Sequence, residues 1–452
     1  MYKFSKYKEQ YKLNLQLAIP IILSQLGHVV VQIIDNIMVG QYGGDNPLPL
    51  AAVSFGGSLF LPLSVASMGL SFGLTPIVGE LFAQRHKGQA AKYLQNGIVL
   101  YLIVGLLISA LQIVTLPLLH FLGQPLEVVE AAKPYYITLI LSMLPLMFFS
   151  CFKQYLEGIG NTKIAMWCVL MSNVINIGLN WLLIGGNCGA PELGATGAGL
   201  STLISRLFLA IALPLYVLRS SQFKAYIIRF ARVNITRAAL KKLRHMGIPI
   251  STQIFMEASS FVMIGIMFGW LGTNAISANQ IAMSMGNATF MIVLAIGSAT
   301  TIRVSHCFGA NDMAQMRLAS KAAWHMGLVW NTMTCIIFTL LCTQIPHIYT
   351  SNTEVVEIAS ILIVFIAAFQ IPDGVQCVGV GILRGMQDVT IIIPFSIICY
   401  WILNIPIAYL CCFTLEMGTA GLYVGLIVGM CVASILYIWR IKYRQKKLRR
   451  GL

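Results

Sequence analysis

The stretch Arg244–Trp270, RHMGIPISTQIFMEASSFVMIGIMFGW, decides the class of this chain. Between its basic start and Gly269–Trp270 it is apolar and long enough to cross a bilayer core of about 30 Å, which takes roughly 20 helical residues. Glu257 stands near its middle. A carboxylate at membrane depth is costly, so it is by default a candidate for a functional site. The rest of the sequence is read outward from this position and from a second acid, Asp373.

The 452 residues are 58% hydrophobic and only 10% charged, against about 25% charged in soluble domains. The expected class is an all-α, polytopic membrane protein. Met1–Lys12 is basic, but the apolar run that follows is a full span without a small-residue cleavage site, so no signal peptide is expected. The eleven cysteines are scattered through apolar runs without a CxxC or Cys/His cluster, and read as small core hydrophobes.

Twelve apolar runs of spanning length are visible: about 13–40, 49–80, 93–118, 135–156, 164–186, 195–218, 243–270, 275–303, 321–346, 356–382, 389–413 and 417–440. With the N-terminus inside, every one of the 30 Lys and Arg residues except Lys133 and Arg206 falls in an inner segment. Both termini are therefore expected in the cytoplasm. The net charge of +15 then reads as topology and attraction to anionic lipid, and not as nucleic-acid binding.

The chain repeats itself at half its length. Ile19-Pro20 matches Ile248-Pro249, LEGIGNTKIA at 156–165 matches LRGMQDVTII at 383–392, and NIGLNWLLI at 176–184 matches LNIPIAYLC at 403–411. An even number of spans in each half makes two pseudo-symmetric six-helix bundles of like orientation, which places a substrate path at their interface. The expected division is 1–218, a basic linker at 219–242, 243–440, and a basic tail at 441–452.

Three acids fall well within apolar runs: Asp35, Glu257 and Asp373. Aligned on the repeat, Glu257 faces His28 and Asp373 faces Leu146, so both belong to one half only. Gln253 and Ser260 share a helical stripe with Glu257, and Gln280, Ser284 and Asn287 form another stripe. Asp373 is flanked by Gln370 and Gln376 and follows Pro372, which can free a backbone carbonyl. Two carboxylates with amide, hydroxyl and carbonyl oxygens suit Na⁺ as a metal ligand set, or a proton. The alternative for the amides is interhelical glue. Asp35 and the face formed by Asn173, Asn176 and Asn180 both lie beyond the midpoint of outward-running spans, so they can meet in the outer half of the first lobe. His28 reads as a hydrogen-bonded interior histidine. Arg206 reads as a structural tie. Met256 and its neighbouring methionines can line an adaptable cavity or simply pack. There is no Walker A sequence, HExxH or GxSxG, so no enzyme activity and no cofactor are expected, and an ion gradient is left as the energy source.

These residues resemble a family. IPIILSQLGHVVVQIIDNIMVGQYG, QIFMEASSF, FQIPDGVQCVGVGILRGMQD and NIGLNWLLIGGNCGAPELGATGAG are similar to the multidrug and toxic compound extrusion family, in its NorM-type bacterial branch. The resemblance implies a V-shaped pair of six-helix bundles exporting lipophilic cationic compounds in exchange for Na⁺ or H⁺. It implies the cation site at Glu257 and Asp373, the first-lobe acid at Asp35, and its amide neighbours at Asn176 and Asn180. Phe290 and Phe369 stand where some relatives carry tyrosines, which leaves a ring face but no hydroxyl. The expectation is a cation-coupled multidrug antiporter, monomeric, in a bacterial inner membrane, with Gln253, Gln280 and Asn287 at the cation site and Met256, Gln376 and the two phenylalanines at the substrate cavity. A flippase for a lipid-linked precursor is the alternative; it wants interior Arg or Lys for phosphates, and only Arg206 reads as lying within a span.

Overall fold

A backbone buried in lipid has no water to bond to, so it must satisfy itself within helices. The computed structural model, which describes residues 2–43, 46, 48–122, 125–220 and 234–449, is correspondingly helical throughout, with no strand among them. The first half comprises α1 (Tyr2–Gly43), α2 (Leu48–Ser71), α3 (Leu74–Ala83), α4 (Lys87–Thr115), α5 (Leu126–Leu141), α6 (Met143–Ile159), α7 (Lys163–Ile184) and α8 (Gly194–Arg219). The second comprises α9 (Arg237–Trp270), α10 (Thr273–Gly309), α11 (Met313–Leu340), the short α12 (Gln344–Tyr349), α13 (Thr353–Gly385), α14 (Ile392–Thr414) and α15 (Gly418–Arg449).

Each of the twelve apolar runs is matched by a helix or by a pair of helices in line. Eleven are long and apolar enough to cross a membrane. The twelfth, α11, has 28 residues but mixes Trp324, His325, Trp330 and Asn331 into its apolar ones. Most of the basic linker, 221–233, and the last three residues of the tail lie outside the described residues.

Two compact units form: Leu23–Ser251, here the first unit, and Thr252–Leu452 with Met1–Ile22, here the second. They cross the half-chain division expected from the repeat in two places. In each case the chain changes unit a few residues past a helix-interior proline, Pro20 in α1 and Pro249 in α9. A proline deletes one i→i−4 bond and loosens the helix at that point. The beginning of α1 is tied into the second unit by polar contacts: Gln10 donates to Gln315 at 2.8 Å and accepts from Arg303 at 3.0 Å, and Tyr11 meets His325 at 2.7 Å. The beginning of α9 is tied into the first unit: Ser251 donates to the Ala66 carbonyl at 2.6 Å and Lys242 pairs with Glu80 at 3.2 Å.

Inside the units the repeat reappears as a packing joint. In the first, a Cβ on Gly158 would lie 2.7 Å from the Val78 Cβ, and the Thr75 hydroxyl donates to the Gln154 carbonyl at 3.1 Å. In the second, a Cβ on Gly385 would lie 2.6 Å from the Val304 Cβ, and Thr301 donates to the Gly381 carbonyl at 3.0 Å. Small residues that let helix backbones approach are the usual means of packing in lipid, where burial of apolar surface between helices gains little.

The units differ in where their helices deform. In the first, the span Leu48–Ala83 is interrupted at Phe72-Gly73 and the span Leu126–Ile159 at Ser142, whereas α7 is regular. In the second, α10 and α13 are continuous, and α14 contains two π-helical stretches, Ile397–Asn404 and Leu410–Thr414, on either side of a single α turn begun by Ile405-Pro406. Such π stretches re-aim side chains and often mark functional sites.

Candidate functional site

The second unit gathers its polar side chains around Glu257. Gln253 and Glu257 are one turn apart on α9, so they share a face. The Gln253 amide Nε2 donates to Glu257 Oε2 at 2.8 Å, and its carbonyl Oε1 accepts from Arg384 Nη2 at 2.7 Å. From α14, the Tyr400 hydroxyl bonds to Glu257 and itself accepts from the Gln376 amide of α13. One turn before Gln376 lies Asp373, only 2% exposed and close enough to Glu257 to feel its charge. Glu257 itself is half-buried as a residue. A turn further along α9, Ser260 accepts from Asn404 at 2.6 Å.

The other predicted members of this site are placed differently. Gln280 and Asn287 are exposed on α10, and Ser284 between them donates to the Gln280 carbonyl of its own helix. The alternative of glue describes Gln370, which donates to the Thr289 hydroxyl at 2.7 Å. Around Pro372, the Gln370 carbonyl accepts from Asn331 and the Pro372 carbonyl from Ser434 at 2.7 Å. These two bonds tie α13 to its neighbouring helices; the carbonyl that Pro372 leaves without its helical partner is that of Ala368, four residues earlier. Phe369 packs edge-on to Phe261 at 6.2 Å beside the core of the unit, and Phe290 and Met256 are half-buried. The hydroxyl that reaches Glu257 is that of Tyr400.

In the first unit, α1 and α7 bring Asp35 and the Asn stripe together. Asn180 donates to the Asp35 carboxylate, and the same amide lies 3.2 Å from the Asn176 carbonyl oxygen. Asn173, nearer the start of α7, packs against Gly27, whose lack of a Cβ admits it. Arg206 donates to Ser142 at 2.6 Å, at the break between α5 and α6, and sits over the Phe60 ring at 5.2 Å. It is the tie that its sequence suggested. His28 on α1 keeps surface open to solvent yet lies within reach of the charges of Lys153 and Arg206, deep among the residues of its unit.

Two basic groups near the ends of apolar runs are placed differently by the structure than by the sequence pattern. Arg384 and Lys153 were assigned to inner segments, yet Arg384 enters the Glu257 network, and Lys153 is buried with Glu157 at 3.9 Å. The signal was present: LEG and LRG are the same repeat position, so Glu157 and Arg384 correspond. Tyr400 carried no polar pattern, and only the π stretch of α14 aims it at Glu257. Among the described residues, no three His, Cys, Asp or Glu side chains are grouped to hold a metal ion. A cation at Glu257 and Asp373 would therefore need the neutral oxygens around them.

The MatE family model matches the chain twice, at residues 20–182 and 249–410. This chain belongs to the MatE family. Its two matched copies start at Pro20 and Pro249, the prolines near which the compact units exchange helix ends. As a MatE protein it is similar to the multidrug resistance protein NorM of Photobacterium profundum, at 28% identity over 97% of this chain and 96% of that one. A probable multidrug resistance protein NorM of Oceanobacillus iheyensis is 29% identical over 99% of this chain and the whole of that one. The eukaryotic MATE transporter AtDTX14 shares the fold with a TM-score of 0.86 at 22% identity, over 99% of each chain. An outward-facing multidrug resistance MATE family transporter does so equally, at 19% identity over 98% of this chain and 97% of that one.

Proposed function

We propose that this MatE protein is a cation-coupled multidrug antiporter that exports lipophilic cationic compounds by alternating access, in exchange for Na⁺ or H⁺. The observation that carries the reading is Glu257. It is a half-buried carboxylate near the middle of a spanning helix, held by Gln253 and Tyr400 and backed by the buried Asp373. An acid at this depth is retained where it binds or moves a cation. Full-length similarity to proteins named for multidrug resistance supports the substrate class. The coupling cation, whether Na⁺ or a proton, is cargo. Na⁺ would take oxygens from Glu257, Asp373 and the neutral groups beside them. Asp35 with Asn176 and Asn180 is the corresponding polar site of the first unit. The Lys/Arg pattern supports a bacterial inner membrane orientation with both termini in the cytoplasm, and a single chain carries both halves.

The interior cations that a flippase would use for phosphate are partly committed elsewhere: Lys153 faces Glu157 and Arg384 bonds Gln253. The deciding experiment is efflux of a cationic dye in everted vesicles, with a Na⁺ pulse followed by a pH jump, for the native protein, Glu257→Gln and Asp373→Asn. Loss of exchange in both variants at native expression is expected. Undiminished efflux in both would sink the reading.

A further inference from the structure

We infer that Arg384 is a positioning residue: it is the resident counter-cation of Glu257 and, through Gln253, fixes the face that this carboxylate offers to an incoming cation. The inference rests on the antiporter reading above and names what tunes its site.

A glutamine amide has two ends of opposite character, and its orientation is set by its partners. The Gln253 carbonyl is taken by the Arg384 guanidinium at 2.7 Å, so its N–H₂ must point to Glu257, which it meets at 2.8 Å. The reverse orientation would set carbonyl against carboxylate and N–H₂ against guanidinium. Gln253 is 3% exposed, so no bulk water is at hand to compensate such a mismatch. Arg384 thus locks the amide, and the amide occupies one carboxylate oxygen. Arg384 also stands in the last turn of α13, where the helix C-terminus favours a cation.

The repeat argues that this arrangement is particular to the second unit. The position of Arg384 is held by Glu157 in the first half, and that of Glu257 by His28. The sign is inverted at the first position and the charge is absent at the second, since histidine is neutral at pH 7, so neither charge is a requirement of the shared fold. The groups acting on Glu257 are Arg384, Gln253, Tyr400 and Asp373, and Arg384 in turn faces Cys377 and Tyr437. An empty carboxylate is balanced across one amide by Arg384. An arriving monovalent cation adds a second positive charge, so it binds more weakly than at a bare acid and leaves sooner.

The test is the concentration of coupling cation that gives half-maximal ethidium efflux in everted vesicles. Arg384→Gln should lower it about tenfold or more, because one positive charge beyond the Gln253 amide is removed, and should slow maximal turnover as release slows. Arg384→Lys, which keeps the charge, should stay within about twofold of the native value. Gln253→Met keeps the volume, cuts the relay and should shift it in the same direction as Arg384→Gln. Native half-saturation in Gln253→Met, or in a well-inserted Arg384→Gln, overturns the inference. Glu257→Gln run beside them separates the two readings: native efflux there removes the antiporter itself, whereas loss of efflux there with native half-saturation in Arg384→Gln removes only the role of Arg384.

Discussion

Gly158 against Val78 in the first unit and Gly385 against Val304 in the second are one packing joint built twice, down to the Thr hydroxyl that crosses it. The charge next to the glycine of that joint is reversed, Glu157 in one unit and Arg384 in the other. Glu157 stands beside Lys153 where the second unit has Arg384 bonded to Gln253, and the neutral His28 stands where the second unit has the half-buried Glu257. The comparison teaches which positions belong to the fold and which to the task. Steric positions repeat because both units must let the same helix backbones approach. Charged positions diverge because a duplicated scaffold leaves each half free to specialise, and an isolated interior charge is too costly to be kept idly.

The sharpest way to break this comparison is to exchange weights at one repeat position. Glu257→Gln should reduce dye efflux to below about a tenth of native, the loss expected when a group on the transported path is removed, whereas His28→Gln should leave most of it. Equal losses at both positions, measured in the same vesicles, would mean that the halves are functionally equivalent. A second asymmetry is structural. Asp388 is buried and grips Arg440 with two bonds, at 2.7 and 2.9 Å, where the first half has Asn161. Because Arg440 is partly exposed, Asp388→Asn should cost about 2 kcal/mol, somewhat below the range for a fully buried pair, while Asn161→Ala should cost less. Thermal unfolding of purified protein in detergent would show it as a lower midpoint.

The shared joint makes the opposite prediction. Gly158→Ala and Gly385→Ala should each destabilise by about 1–3 kcal/mol, because the new methyl meets a β-branched Cβ that cannot yield. Similar midpoint shifts for the two would sharpen the symmetry; a large shift for one alone would break it.

The sequence by itself determined the membrane class, the twelve spans, the duplication and the three acids within spans. Each depends on a property carried along the chain: the length of an apolar run, the side on which Lys and Arg fall, the recurrence of a motif. The meeting of Asp35 with Asn180 was legible too, because both lie at similar depth on spans that run in the same direction. Only the tertiary structure decided what surrounds Glu257. Arg384 and Lys153 were lost to the ends of their runs, since helices extend past the apolar stretch and hydropathy cannot tell a snorkelling charge from a buried one. Tyr400 depended on a π stretch that no periodicity announces. Gln370 and Gln376 carry the same amide at i−3 and i+3 from Asp373, yet one holds Thr289 and the other Tyr400. Which of them is mortar and which is site is set by the neighbouring helix that each one meets, and that is a fact of packing.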